Sequence, residues 1–211
     1  MRLFQSIGPN PRVTTMFIAE KGIAVERAFV DILKGENRQA DYLARNPVGG
    51  TPCLELDDGG HIAESVVICE YLEELHPTPA LIGSTAEERA ATRTMLRSID
   101  QTIVVPMTAG FRGAEGLPMF KDRMLCVAEG AEGNKATARE GLGRIDALLA
   151  TREFICGDAI TLADILLFCF TDFGSQVGQP IPEGMSNLSA WHARIAARPS
   201  AATSANPQNG L

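Results

Sequence analysis

Residues 49–75 read GGTPCLELDDGGHIAESVVICEYLEEL. Two short apolar stretches, 53–56 and 61–63, flank Asp57-Asp58-Gly59-Gly60, a composition whose backbone freedom suits a hairpin turn. The spacing predicts an antiparallel strand pair. Residues 65–75 then carry apolar side chains at helical spacing, with Ser65 as the expected cap. A hairpin running straight into a helix closes a small layered α/β unit.

Upstream, residues 2–5 read as a strand, 6–10 as a turn and 11–22 as a helix. Asn10 is its expected N-cap, Pro11 suits the first helical position, and Gly22 ends it. Residues 26–32 form a second expected strand, and 36–45 a short helix stopped before Pro47. The order is β-α-β-α-β-β-α.

Downstream, 76–84 contains Pro77, Pro79 and Gly83 and reads as a linker. Everything beyond reads as helical. Thr85-Ala86-Glu87-Glu88 is a capping box opening a long helix with Met95, Ile99, Ile103 and Val104 on its apolar positions, and Pro106 kinks or ends that helix. Residues 110–116, GFRGAEG, read as a flexible loop. Residues 118–150 are helical with Leu142, Ile145, Leu148 and Leu149 on one face. Gly130, Gly133, Gly141 and Gly143 weaken this stretch and predict a break near 130–134. Residues 161–173 are apolar all round, as in a buried central helix. Leu188, Trp191 and Ile195 mark a last amphipathic helix ending before Pro199, with a loose tail from about 200. The expected domains are 1–76 and 86–211, with 77–85 between them.

The chain has 211 residues, 45% hydrophobic and 21% charged, with a net charge of −7. This composition argues against disorder. The acidic balance argues against a nucleic-acid partner, whose phosphates call for a basic face. The longest clean apolar run, 165–170, is far short of the ~20 residues that span a bilayer, and MRLFQSIGPNP has no signal-length apolar core. No membrane partner and a cytoplasmic location are expected. The five cysteines, at 53, 69, 126, 156 and 169, are odd in number and lack CxxC spacing, so they read as reduced thiols, mostly in the core. His61, His76 and His192 share no motif with them, and no metal is expected.

Three segments carry possible chemistry. In Thr51-Pro52, a proline opening a strand after two glycines is either an ordinary trans residue or a cis one. A cis bond leaves the Thr51 N–H and C=O open to pair with an extended peptide. In Glu64-Ser65, a strand meets a helix. Read blandly, this is a cap; read functionally, the first-turn amides, the Ser65 hydroxyl and the helix dipole suit a carboxylate, and Glu64 an ammonium, together an amino-acid head group. In residues 157–164, GDAITLAD, Thr161 and Asp164 can cap each other, which is a structural role.

These elements, in order LFQSIGPNPRVTTMFIAEKGI, TPCLEL, GGHIAES and GDAITLAD, resemble the cytosolic glutathione transferases over roughly 1–200. That fold is a thioredoxin-like α/β domain followed by an all-helical domain. FVDILKGENRQADYLARNPVGGTPCLELDDGGHIAES and GPNPRVTTMFIAEKG resemble most the atypical yeast-type transferases, which lack the usual Ser, Tyr or Cys at the thiol. The resemblance implies glutathione as co-substrate, a homodimer whose interface element is the helix from Thr85 to Pro106, and a role in detoxification. It further implies that Thr51 and cis-Pro52 hold the cysteinyl backbone and that Glu64 and Ser65 hold the γ-glutamyl end. Gly8 and Pro9 line the same site. Lys34, Asn37 and Arg38 lie where the family binds the glycine carboxylate, and Arg38 is the preferred anchor, since Gly50 stands where many relatives have lysine. Asp100 resembles an acidic residue that reaches the glutathione amine across a dimer.

A free thiol near pKa 8.5 is only a few per cent ionised at neutral pH. Lowering it to about 6.5 takes roughly 2.7 kcal/mol. A helix terminus supplies about 0.3–2 kcal/mol and a hydrogen bond to a charged acceptor about 1.5–3, so at least one good donor is required. Gly8 stands where serine-type relatives keep a hydroxyl. Asn10, which also resembles the nu-type transferases, is the candidate donor, its other reading being a helix cap. Ser6 is the weaker alternative. Thr108 and Arg112, after Pro106, match a serine and a histidine that hold a water in the yeast-type enzyme; Arg112 can stabilise an anion but not act as base. Ile7, Met107 and Phe111 are expected to meet an apolar electrophile. Two alternatives to conjugation stay open: glutathione-dependent disulfide reduction and a non-catalytic binding module of the same fold.

Overall fold

The computed structural model describes residues 1–208. It divides into two compact units: Met1–Ser84 together with the described chain from Ala196 onward, and Thr85–Ile195.

In the first unit, β1 (Arg2–Gln5) runs parallel to β2 (Glu26–Phe29) and antiparallel to β3 (Cys53–Glu55), which pairs antiparallel with β4 (His61–Ala63). The sheet order is β2-β1-β3-β4. The parallel pair needs a crossover, supplied by α1 (Pro9–Lys21). The hairpin of residues 53–63 forms as expected, with Leu54 opposite Ile62. Leu3 and Leu54 are fully buried, and Phe4, Val30 and Cys53 pack with Tyr42 in a small cluster.

The ends of the elements differ from expectation. α1 begins at Pro9, not Pro11. Gly8 occupies φ 111, a region open to glycine, and is the N-cap, while Pro9 supplies the first position, where no N–H is needed. Asn10 therefore lies inside the first turn and caps nothing. Gly22 does end the helix, in the left-handed conformation. The second strand stops at Phe29. The helix expected over 36–45 is a 3₁₀ turn, Glu36–Arg38, and a short α2 (Ala40–Leu43), separated by the extended backbone of Gln39. α3 (Ser65–Leu75) has Glu64 rather than Ser65 at its N-cap position, with no capping bond from the Glu64 side chain.

Residues 77–82 are more than a connector. Lys21 and Glu73 form a buried ion pair. Lys21 Nζ also donates to the carbonyls of His76 (2.7 Å) and Pro79. Glu73 Oε1 accepts from the amides of Leu81 (2.9 Å) and Ile82 (3.2 Å), whose side chains are buried. Lys21 Nζ and Glu73 Oε1 thus find neutral partners besides the ion pair, the form in which buried charges are tolerated.

The tail expected to be loose from residue 200 instead forms α10 (Pro199–Ala205), which packs on α1 and belongs to the first unit, so the second domain does not run to 211. The last part of that expected tail, 209–211, lies outside the described residues.

In the second unit, the Thr85–Glu88 capping box opens α4 (Ala86–Ile99). The chain widens into a π turn, Asp100–Val104, and continues as α5 (Val105–Gly113). Pro106 thus ends nothing. The wider turn just ahead of it accommodates the missing N–H and the ring, a known use of π segments. The helix expected over 118–150 is interrupted: after α6 (Leu117–Phe120) residues 121–127 are not helical, and a 3₁₀ turn, Ala128–Gly130, passes into α7 (Ala131–Leu149) at the start of the expected break. α8 (Leu162–Gln176) is buried on all sides from Leu162 to Thr171, as its composition predicts, and is followed by α9 (Ser186–Ala196).

Asp164 ties this unit together. Its Oδ2 accepts from the Thr161 amide and hydroxyl, and its Oδ1 from the Ile155 amide and Trp191 Nε1, all at 2.9 Å. Burial pushes its carboxyl above the usual range against these donors. Among the described residues no helix is long and apolar enough to cross a membrane.

Candidate active site

The Thr51–Pro52 bond is cis, and Pro52 is buried at the entry to β3. Neither the amide nor the carbonyl of the half-buried Thr51 is engaged by another described residue. This is an open backbone edge next to a paired strand. Cys53 faces the core with its Sγ 3.9 Å from the Arg45 carbonyl, and burial pushes its thiol up, so it is no nucleophile at neutral pH.

Glu64 has φ 70 and is the non-glycine residue with positive φ among those described. Its exposed side chain stands at the start of α3. Ser65 follows, buried, and its hydroxyl donates to Asn10 Oδ1 at 3.4 Å. Asn10 itself is exposed. The first turns of α1 and α3 therefore meet although their residues are 55 apart in sequence. Two helix N-termini, each with unpaired amides and a partial positive charge, favour an anion there. With Ser65 Oγ bonded to its oxygen, the Asn10 amide has its donor nitrogen free to turn elsewhere.

The other expected residues divide. Ser6 is 1% exposed, and its Oγ has no partner among the described residues, so it presents nothing to a ligand and is withdrawn as a thiol donor. Asn37 is also corrected. It is buried, and its Nδ2 donates to the Gly49 carbonyl at 2.7 Å, so it holds the loop instead of reaching a carboxylate. Lys34 is exposed and pairs with Asp31 at 3.0 Å. Arg38 uses Nη1 on the Val48 carbonyl (3.2 Å) and is otherwise exposed, which leaves most of its guanidinium free for an anion. Ile7 stands 38% exposed just ahead of α1.

On the second unit, the loop expected over 110–116 is largely helix. Gly110 and Gly113 lie in α5, and Cβ atoms there would come within 2.7 Å of Lys135 Cγ and 2.8 Å of the Val127 carbonyl oxygen. Met107 is 1% exposed and packs against Gly174, so it is core and not a substrate contact. Thr108 donates its hydroxyl to the Val104 (2.9 Å) and Val105 (3.1 Å) carbonyls. Phe111 meets Phe120 and Phe173 edge to face, and Arg112 lies 5.6 Å over the Phe120 ring. Asp100 accepts from Arg97 at 3.2 Å.

Sequence reasoning passed over Tyr42 and Asn46. Both donate to the Gly50 carbonyl, at 2.6 and 2.9 Å. Burial pushes the Tyr42 phenol well above its usual range, so it remains a donor. The signal for Asn46 was present in the Asn46-Pro47 pair, a turn-initiating dipeptide.

Two family models match the chain: glutathione S-transferase, N-terminal domain, over residues 7–75, and glutathione S-transferase, C-terminal domain, over 124–199. Glutathione S-transferase 2 of Saccharomyces cerevisiae is 31% identical over 92% of this chain and 84% of its own length. The crystal structure of Gtt2 from the same yeast superposes with a TM-score of 0.90 at 30% identity, covering 97% of this chain and 100% of that one. A glutathione S-transferase domain-containing protein of Marinobacter aquaeolei VT8 gives 0.89 at 34% identity, covering 95% and 99%. With the open Thr51 edge and the paired helix N-termini on a mixed four-stranded sheet, these likenesses show that the chain belongs to the glutathione S-transferase family.

Proposed function

We infer that the protein binds glutathione on its first unit, ionises the thiol at the start of α1 and adds the thiolate to a small apolar electrophile. The observation that carries this reading is the meeting of Ser65 and Asn10, which sets two helix N-termini side by side. The tripeptide's cysteinyl backbone pairs with the open Thr51 edge. Its γ-glutamyl carboxylate accepts from the first-turn amides of α3, that of Ser65 among them, and its ammonium pairs with Glu64. Arg38 takes the glycine carboxylate, and exposed Lys34, paired with Asp31, adds a second cation on the same segment. Asn10 Nδ2 and the α1 dipole stabilise the sulfur anion, and Gly8 leaves room for it because no side chain stands there. Ile7 offers apolar surface to the electrophile. The thiol-activating groups are all on the first unit.

With a chloronitrobenzene, the thiolate forms the C–S bond, chloride leaves with the C–Cl electrons, and the thiol proton passes to solvent. The test compares wild type with Asn10→Ala in that assay and reads bound thiolate by ultraviolet difference spectra. Wild type is expected to show a thiolate band at a pH where the free thiol is un-ionised. Asn10→Ala is expected to lose about tenfold or more in kcat, since a hydrogen bond to a charged acceptor is worth ~1.5–3 kcal/mol. An unchanged rate removes Asn10 from the mechanism, and no band with no conjugation defeats the reading. Reduction of a small mixed disulfide without conjugation transfers the assignment to glutathione-dependent disulfide reduction.

We also propose a cytoplasmic homodimer with a detoxifying role, supported by family membership. Equilibrium sedimentation is expected at twice the chain mass of 22.6 kDa, and a mass of one chain rejects the dimer.

A further inference from the structure

Three consecutive carbonyls ahead of Thr51 are held by side chains from residues 37–46. Arg38 holds that of Val48 and Asn37 that of Gly49, while Tyr42 and Asn46 both hold that of Gly50. Asn46 adds a second grip, its Oδ1 accepting from the Val48 amide at 3.2 Å and its carbonyl from the Gly49 amide at 2.8 Å. The approach is tight. A Cβ on Gly49 would stand 2.9 Å from the Asn37 carbonyl oxygen. The Tyr42 ring is anchored in turn, buried edge to face against Phe4 at 6.3 Å.

The geometry has a consequence one residue on. The Gly50 carbonyl and the Thr51 N–H belong to one planar trans peptide and point in opposite directions. Two donors that pull the Gly50 oxygen toward α2 therefore drive the Thr51 N–H away from it. That N–H has no partner among the described residues.

We propose that Tyr42 and Asn46 are positioning residues for glutathione, which fix the Gly50–Thr51 peptide plane so that the Thr51 edge is aimed at the cysteinyl backbone before binding. This rests on the glutathione reading above. The pre-set plane spares the ligand the cost of ordering the loop, so its loss weakens binding and leaves the chemistry alone.

Steady-state kinetics of the full chain test it, with Tyr42→Phe, which keeps the ring, and Asn46→Asp, which keeps the acceptor and loses the donor. KM for glutathione is expected to rise about 3-fold in Tyr42→Phe and about 10-fold in Asn46→Asp, the range of a lost hydrogen bond. At saturating glutathione, kcat is expected to stay within about 2-fold and the bound thiol to keep its pKa, since neither group touches the sulfur. Variants that melt lower and lose kcat at wild-type KM show a structural role only and overturn the proposal. So do folded variants with wild-type KM and kcat. If Asn46→Asp does not fold, Tyr42→Phe decides alone. A wild-type protein that never saturates with glutathione overturns the function itself; a saturating wild type with unmoved variants overturns this inference alone.

Discussion

Glu64 holds φ 70 and ψ 121, a conformation that favours glycine and costs a side-chain-bearing residue about 1–3 kcal/mol. Glycine would take it freely, so the retained carboxylate points to a use. Glu64→Gly is expected to raise stability by about 1 kcal/mol, the strain relieved less the added freedom of the unfolded chain. It is also expected to raise KM for glutathione about tenfold through loss of the ammonium partner. Thermal melts and initial rates read both, and a lower melting temperature at unchanged KM makes Glu64 a structural residue. The same scale shows what one-dimensional reading misses. Asn37 and Arg38 are neighbours and both candidates for the glycine carboxylate, with Arg38 preferred, yet one is buried under the loop and the other is exposed. Which of two adjacent side chains turns inward depends on the loop laid over them, and that loop comes ten residues later.

At the scale of elements, glycine misleads most. GFRGAEG reads as a loop because glycine disfavours helix by about 1 kcal/mol per residue. In the structure it opens with the end of α5, and the missing side chains are what let that helix lie against the 3₁₀ turn and α7. α7 repeats the lesson. A Cβ on Gly141 would lie 2.6 Å from both Ile103 Cγ1 and the Thr102 carbonyl oxygen, whereas one on Gly133 would meet nothing within 4 Å. Gly141→Ala is therefore expected to destabilise by about 1–3 kcal/mol through overpacking, and Gly133→Ala to stabilise by about 0.5–1 through helix propensity. Chemical denaturation of the two variants checks the pair, and equal effects would mean that the contact between the π turn and α7 yields. The capping boxes of α4 and α8 and the hairpin were legible beforehand because each is written in residues a few positions apart.

At the scale of the whole chain, its far end returns to the first unit. Arg198 Nε and Nη2 grip Glu20 Oε1 and Oε2 at 2.6 and 2.8 Å, and the Ser200 hydroxyl joins them. Arg12 Nη2 reaches the Ala201 carbonyl at 3.5 Å, and Gln5 Nε2 the Pro207 carbonyl at 2.5 Å. Burial raises the Glu20 carboxyl, but the bonds from Arg198 and Ser200 and the Arg198 charge outweigh it and hold it below its usual 4.5. The native state thus binds this proton less tightly than the unfolded one. Its contribution to stability is present above the unfolded value and is lost as pH falls through the native one. Melting temperature is expected to fall from about pH 5 downward, and Glu20→Gln to lower it at neutral pH and flatten that fall. A variant whose acid limb matches wild type would place the sensitivity elsewhere.

The sequence by itself determined the order of elements in the first unit up to residue 75, the hairpin, two capping boxes, the buried helix α8 and, through four ordered motifs, the family. Those are local patterns, set by spacing and by residues that cap or turn the chain within a few positions. Only the tertiary structure decided that Asn10 meets Ser65, that Asn37, Tyr42 and Asn46 hold the loop before Thr51, that glycines lie within a helix, and that the tail folds back on α1. Each of these joins residues distant along the chain, or sets a local preference of about 1 kcal/mol against side-chain burial worth about 1.5–3, and there the packing prevails.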